Sequence, residues 1–156
     1  MKKIILTLLI FIPLAVSNNY FFSQKLMTIA ESEKKYSKDS LQEIYFYRIM
    51  SEDINECFDA SPEIFLKEWS KFSGRLVNYV NDNKFSFGKD TKVDIEVYFN
   101  KNEKIDYFFI SVRDPKFPKE NYETLLKILT KFSEDYIFTL DAKQPFFNAG
   151  TITFMY

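Results

Sequence analysis

The sequence predicts an α+β fold: a small antiparallel sheet packed on helices, preceded by an N-terminal helical extension. Three observations carry this. Residues 91–99 and 105–112, "TKVDIEVYF" and "IDYFFISV", alternate apolar and polar side chains around the polar turn "NKNEK", the pattern of paired strands with one buried face. On either side, apolar residues recur at the three-to-four spacing of amphipathic helices. Finally, a chain of 156 residues with 46% hydrophobic and 19% aromatic content fills one core easily. No internal repeat or low-complexity tract interrupts it.

Taken in order, "MKKIILTLLIFIPLAVSNNY" has two lysines, an apolar run and then Ala15-Val16-Ser17. That is the charged, apolar, small-residue order of a secretory signal peptide. The run is shorter than the ~20 residues that span a bilayer, so residues 1–17 are expected to be removed, with a retained anchor as the alternative. The mature chain then starts near Asn18 and is exported, to the periplasm or outside the cell. Loss of two lysines takes the formal charge from −1 to −3. Residues 18–60 read as a helical extension. "SQKLMTIAESEKKYSKDS" has weak helical character, as a short helix or an arm. Ser40 with Glu43 fits a capping box, placing a helix start at Leu41, although "IYFYRI" is strongly β-prone.

Residues 61–156 form the predicted α+β domain. Ser61 before Pro62 is a helix start, offering a side-chain oxygen and then a residue with no N–H to lose. Phe65, Trp69, Phe72, Leu76 and Val80 form its apolar stripe, and Gly74 within it predicts a break or a close contact. In the first strand Val93, Ile95, Val97 and Phe99 point one way, while Asp94, Glu96 and Tyr98 point the other. Phe108, Ile110 and Val112 extend the apolar face, but Tyr107 and Phe109 fall on Tyr98's side. One core therefore accounts for only half of the hairpin. Either a helix from the N-terminal third covers Tyr98, Tyr107 and Phe109, or they form an exposed aromatic patch that marks a binding site. Pro118 opens a helix over 119–132, whose Leu125, Leu129 and Phe132 are the natural cover for Val93, Ile95 and Val97. From near Gly150, Ile152, Phe154 and Tyr156 alternate with Thr151, Thr153 and Met155 as a terminal strand.

Catalytic signals are weak. The chain has no His and one Cys, so metal ligation would fall to carboxylates that do not cluster, and no metal or cofactor is expected. Cys57 has no second cysteine to pair with internally and no histidine to activate it; it reads as a buried thiol, with pairing to another chain as the alternative. Asp94 and Glu96 share one strand face about 7 Å apart, but a solvated face explains them better than acid–base work. The same holds for "SEDINE" at 51–56, and Ser73-Gly74 lacks a nucleophile-elbow context. Lys and Asp/Glu are interleaved, so the basic stripe of nucleic-acid binders is absent. A non-enzymatic protein is expected.

Local stretches resemble the TonB C-terminal-like domain. "FSGRLVNYVNDNKFSF" is similar to that family's leading helix and the stretch after it. "VDIEVYFNKNEKIDYFFISV" is similar to its hairpin, and "NYETLLKILTKFSEDYIFTLDAKQPFFNAGTITF" to its helix, polar loop and final strand. The resemblance spans residues 71–156 in the order helix, strand, strand, helix, strand. Three departures stand out: Glu103-Lys104 where the family has Gly in the turn, Ser86-Phe87 where it has Tyr-Pro, and no Pro just before "ITF". With 5 Pro in total there is also no long Pro-rich spacer. The resemblance thus implies a stand-alone, exported relative, not coupled to an inner-membrane energy source.

Two functions from different classes follow. The resemblance implies a protein-binding module at the cell envelope, taking a protein or peptide by strand addition along the terminal strand, Thr151, Ile152, Thr153, Phe154, Met155 and Tyr156. An outer-membrane protein is one such partner, and homodimerisation through the same edge is the competing outcome. The alternative is a secreted α+β cone of cystatin-like or steroid-isomerase-like shape, with an aromatic cavity for a small ligand.

Overall fold

The alternating segments become the centre of a mixed four-stranded sheet in the computed structural model, which describes residues 25–47, 49 and 52–156. The signal peptide over 1–17 and the start near Asn18 lie outside the described residues. The chain order is β1 (Lys25–Thr28), α1 (Ile29–Lys35), α2 (Lys38–Gln42), a single 3-10 turn (Glu52–Glu56), α3 (Pro62–Asp82), β2 (Thr91–Phe99), β3 (Ile105–Val112), α4 (Lys119–Asp135) and β4 (Phe146–Phe154). In space the strands run β1-β3-β2-β4. The α+β class expected from the sequence is the one observed.

Strand β2 pairs antiparallel with β3 on one side and with β4 on the other. Its apolar positions meet their counterparts across the hairpin, with Ile95 opposite Ile110 and Val97 opposite Phe108. The hairpin turn needs one residue in the left-handed region, and Glu103 takes it with φ of 59°. Three bonds hold that residue there. Its N–H donates to the Asn100 carbonyl, its carbonyl accepts from the Phe138 N–H, and its carboxylate accepts from the Ala142 N–H, all at 2.9 Å.

One sheet face and the two long helices close the main core. Phe65, Phe72, Leu76 and Val80 of α3 and Leu125, Leu129 and Phe132 of α4 share one buried cluster with Val93, Ile95, Val97, Phe99, Phe108 and Ile110. Phe72 sits among five rings, with centroids 4.8 Å from Trp69, 5.0 Å from Tyr136, 5.8 Å from Phe132, 6.0 Å from Phe99 and 6.4 Å from Phe108. Both helix starts fall where Pro predicts: Pro62 sits in the first turn of α3, and Pro118 precedes α4. Gly74 corrects its expectation. It is exposed in mid-helix with open space around it, so it marks neither a break nor a close contact. The close approach is at Gly150 instead, where a Cβ would lie 3.3 Å from the Trp69 indole nitrogen. An unbranched backbone lets that ring lie against β4.

The N-terminal third departs most from expectation. Residues 25–28 form a strand beside β3, in parallel, with Leu26 opposite Phe108 and Met27 opposite Phe109. The sheet is therefore mixed, not purely antiparallel. The capping box is Thr28 with Glu31, joined by two reciprocal bonds of 3.0 Å. Ser40 lies inside α2, and Glu43 is that helix's C-cap, so no helix starts at Leu41. Of the β-prone run, Phe46 alone among the described residues makes a bridge, pairing in parallel with Phe146 of β4, while Ile44 lies in a turn and Tyr45 in a bend. Ile49, Ile54, Cys57 and Phe58 then enter the main core. The described residues before residue 61 are thus built into the sheet and the core.

That segment also covers the second sheet face. Tyr98 and Phe109 are buried with Met27, Leu41 and Tyr45, and Tyr107, Tyr36 and Phe147 are half-buried beside them. Of the two readings of the aromatic side, the covered one holds; the exposed patch is corrected.

Candidate functional site

Strand β4 lies at one end of the sheet. It begins at Phe146, four residues before the predicted start, because β2 offers nine partners and the pairing continues through Asn148 and Gly150. Thr151, Ile152, Thr153 and Phe154 belong to it; Met155 and Tyr156 do not. Ile152 and Phe154 are buried in the main core, whereas Thr151 and Thr153 are exposed on the opposite face. Tyr156 turns away, its N–H donating to Asp90 Oδ1 at 2.8 Å.

Two sets of bonds orient the strand's backbone. The Phe147 N–H donates to the Phe46 carbonyl at 2.9 Å, and the Phe46 N–H donates to the Pro145 carbonyl at 2.8 Å. Odd-numbered residues of β4 therefore face outward, since backbone groups alternate sides along a strand. The inner side agrees: the Lys92 carbonyl accepts from the Arg113 N–H at 2.9 Å, which leaves the Lys92–Thr153 pair without ladder bonds. Ala149, Thr151 and Thr153 thus present N–H and C=O on the outer edge, and among the described residues none of these groups is paired. The strand "FFNAGTITF" carries no charge and no proline, the devices that normally protect an edge. The sequence pointed to Thr151 and Thr153 but missed Ala149 and Phe147, because Asn148-Ala149-Gly150 breaks the apolar alternation.

A cleft of about 230 Å³ lies on the second sheet face, beside β4, and Leu41, Tyr45, Tyr98 and Phe147 contribute its apolar surface. The Tyr98 ring is 4.7 Å from Phe147 and 5.1 Å from Tyr45. The Tyr45 hydroxyl donates to Asp106 Oδ2 at 2.9 Å, and Asn100 donates to the other carboxylate oxygen at 2.9 Å. Glu96 also lines the cleft. Burial holds its carboxyl above the usual range; Lys38 partly counters this, Glu33 adds to it, and the Tyr98 hydroxyl hydrogen-bonds to it. Two larger hollows, of about 370 and 390 Å³, open more widely near Lys89–Arg113 and near Phe85–Phe154.

The pair Asp94 and Glu96 is not one site. Asp94 is gripped by Arg113 through two bonds of 2.7 Å and accepts from the Thr151 hydroxyl at 2.6 Å, which holds its carboxyl below the usual range. It ties β2, β4 and the end of β3 together on the surface. Cys57 is buried, with its sulfur 3.7 Å from the Gln144 carbonyl, and burial pushes its thiol up to about 12. Such a thiol is a poor nucleophile at neutral pH. Among the described residues no group of His, Cys, Asp and Glu has the arrangement of a metal site, and no helix is long and apolar enough to cross a membrane. Comparison with protein-family models, with curated proteins and with solved structures finds no match for this chain.

Proposed function

We propose that this chain is an exported, non-enzymatic protein-binding module that takes an extended segment of a cell-envelope protein by strand addition along β4. One observation carries the reading: the outer backbone groups of Ala149, Thr151 and Thr153 are unpaired on an uncharged edge, directly after a point where the same edge already holds Phe46 in parallel. Up to six backbone bonds are on offer there, each contributing about 0.5–1.5 kcal/mol net. Association and ordering offset much of that, so affinity is micromolar. Kinship with the TonB C-terminal-like domain is supported by the order helix, hairpin, helix, strand from α3 onward. It is also supported by Glu103, which holds a positive φ at the turn position where that family carries Gly. Export rests on the charged, apolar, small-residue order of residues 1–17.

The test is capture of partners from an envelope extract by the mature chain, purified after N-terminal sequencing shows a start near Asn18, beside its Thr153→Pro variant. Proline there removes an outward N–H and no ladder bond. The variant keeps its fold by circular dichroism and loses the partner. Retention of every partner at full affinity by Thr153→Pro would sink strand addition at this edge. Concentration-dependent sedimentation that the same substitution abolishes would point to a homodimer.

A further inference from the structure

We propose that the aromatic cleft beside Glu96 receives a basic side chain, lysine or arginine, from the segment added to β4. This deepens the strand-addition reading and rests on it. Ala149 stands opposite Glu96 in the β2–β4 ladder, with Phe147 opposite Tyr98 and Thr151 opposite Asp94. Residues facing each other in a ladder share a sheet face. A segment bound outside β4 therefore projects alternate side chains onto the face that bears Glu96 and the cleft. The side chain opposite Ala149 starts two strand spacings, about 10 Å, from β2. Only the small, exposed methyl of Ala149 lies between them. A four-carbon lysine stem or an arginine stem covers most of that gap, and Glu96 reaches out to meet its charged end.

The cleft's chemistry selects the same class. Glu96 is half-buried and has the Tyr98 hydroxyl as a partner, but among the described residues no cation lies within ion-pair distance of it. Lys38, the one cation among the described residues that line the cleft, pairs with Glu33 at 3.6 Å. Among the described lining residues the charges are thus Glu96 and Lys38, and Lys38 is already engaged by Glu33. Tyr45, Tyr98 and Phe147 supply ring faces that attract a desolvated cation. An anion would meet Glu96, and an apolar side chain would strip water from that carboxylate with nothing in return.

Two capped heptapeptides, Val-Lys-Val-Thr-Val-Thr-Val, which added in parallel places its lysine opposite Ala149 clear of Phe46, and the same peptide with norleucine for lysine, separate the possibilities by calorimetric titration of the mature chain. The lysine peptide is expected to bind about tenfold more tightly, with binding by both weakened in Thr153→Pro. Glu96→Gln should bring the two peptides to within about twofold of each other. Ala149→Phe, at an exposed position, should do the same by blocking the crossing while Glu96 stays in place, so the result does not depend on one variant folding. Equal affinity of the two peptides for the wild-type chain, with both weakened by Thr153→Pro, overturns the cleft pairing and leaves strand addition standing. Binding by neither peptide at millimolar concentration overturns both.

Discussion

On one face of the β2–β3 hairpin, Val93, Ile95, Val97 and Phe99 lie under two long helices, in a cluster that is almost wholly hydrocarbon. On the other, Tyr98, Tyr107 and Phe109 lie under two short helices and Tyr45, and the cover stops partway along the strands. Beyond it, Glu96 is half-buried in the cleft and Asp94 is partly exposed, with Arg113 across it. The strands are the same, and so is the period-two rule. The difference comes from what each cover can supply. Helices of 21 and 17 residues offer continuous apolar stripes, whereas helices of 7 and 5 residues offer a few contacts and must lean on hydroxyls. The first face stabilises the fold, and the second keeps polar groups in reach of a partner.

The largest test of this contrast is Leu129→Ala. Leu129 is buried in the main core, and its truncation should cost about 2–5 kcal/mol in urea unfolding, through lost transfer free energy and a cavity the helices cannot close. A cost under about 0.5 kcal/mol would mean that this face is not the stabilising one. Next comes Tyr45→Phe on the second face. It keeps the ring and removes one hydrogen bond to Asp106, which Asn100 still holds, so about 1 kcal/mol is expected. A loss as large as that of Leu129→Ala would erase the distinction between the two faces.

The smallest effect is electrostatic. Burial raises the folded-state pKa of Glu96 above the ordinary 4.5, so the folded chain holds this proton more tightly than the unfolded chain. Its contribution to stability therefore declines as pH rises from 4.5 through the folded value, and above that the buried charge is a standing cost. Glu96→Gln should raise the urea midpoint at neutral pH, and the gain should vanish below pH 4.5. A gain that persists in acid would assign the effect to shape instead of charge.

Much of the first face was legible before the structure. The helix starts at Pro62 and Pro118, the hairpin register and the Leu125–Leu129–Phe132 stripe follow from local chemistry and short-range periodicity. The second face was legible only as a surplus of aromatics, because what covers it comes from far along the chain. Strand β1 has four residues and no readable alternation; it exists because β3 has an open side. Its following helix did carry a signal that sequence reasoning missed, the Thr28-x-x-Glu31 box, with the same spacing as the Ser40 and Glu43 that were singled out. The cleft was illegible for a related reason. Tyr98, Phe147 and Tyr45 meet only once β4 pairs with β2 and α2 folds back, and nothing local to Phe147 announces a strand already under way.

Gly150 has a practical consequence. The chain contains 1 Trp, and that indole rests against the bare backbone of the edge strand, at the centre of the stretch where a partner would add. Trp69 also stacks on Phe72, with centroids 4.8 Å apart, which couples it to the main core. The protein therefore carries its own fluorophore at the place of interest. Anything that stiffens, bends or covers β4 changes the surroundings of one emitter, and its spectrum reads out the edge without a label.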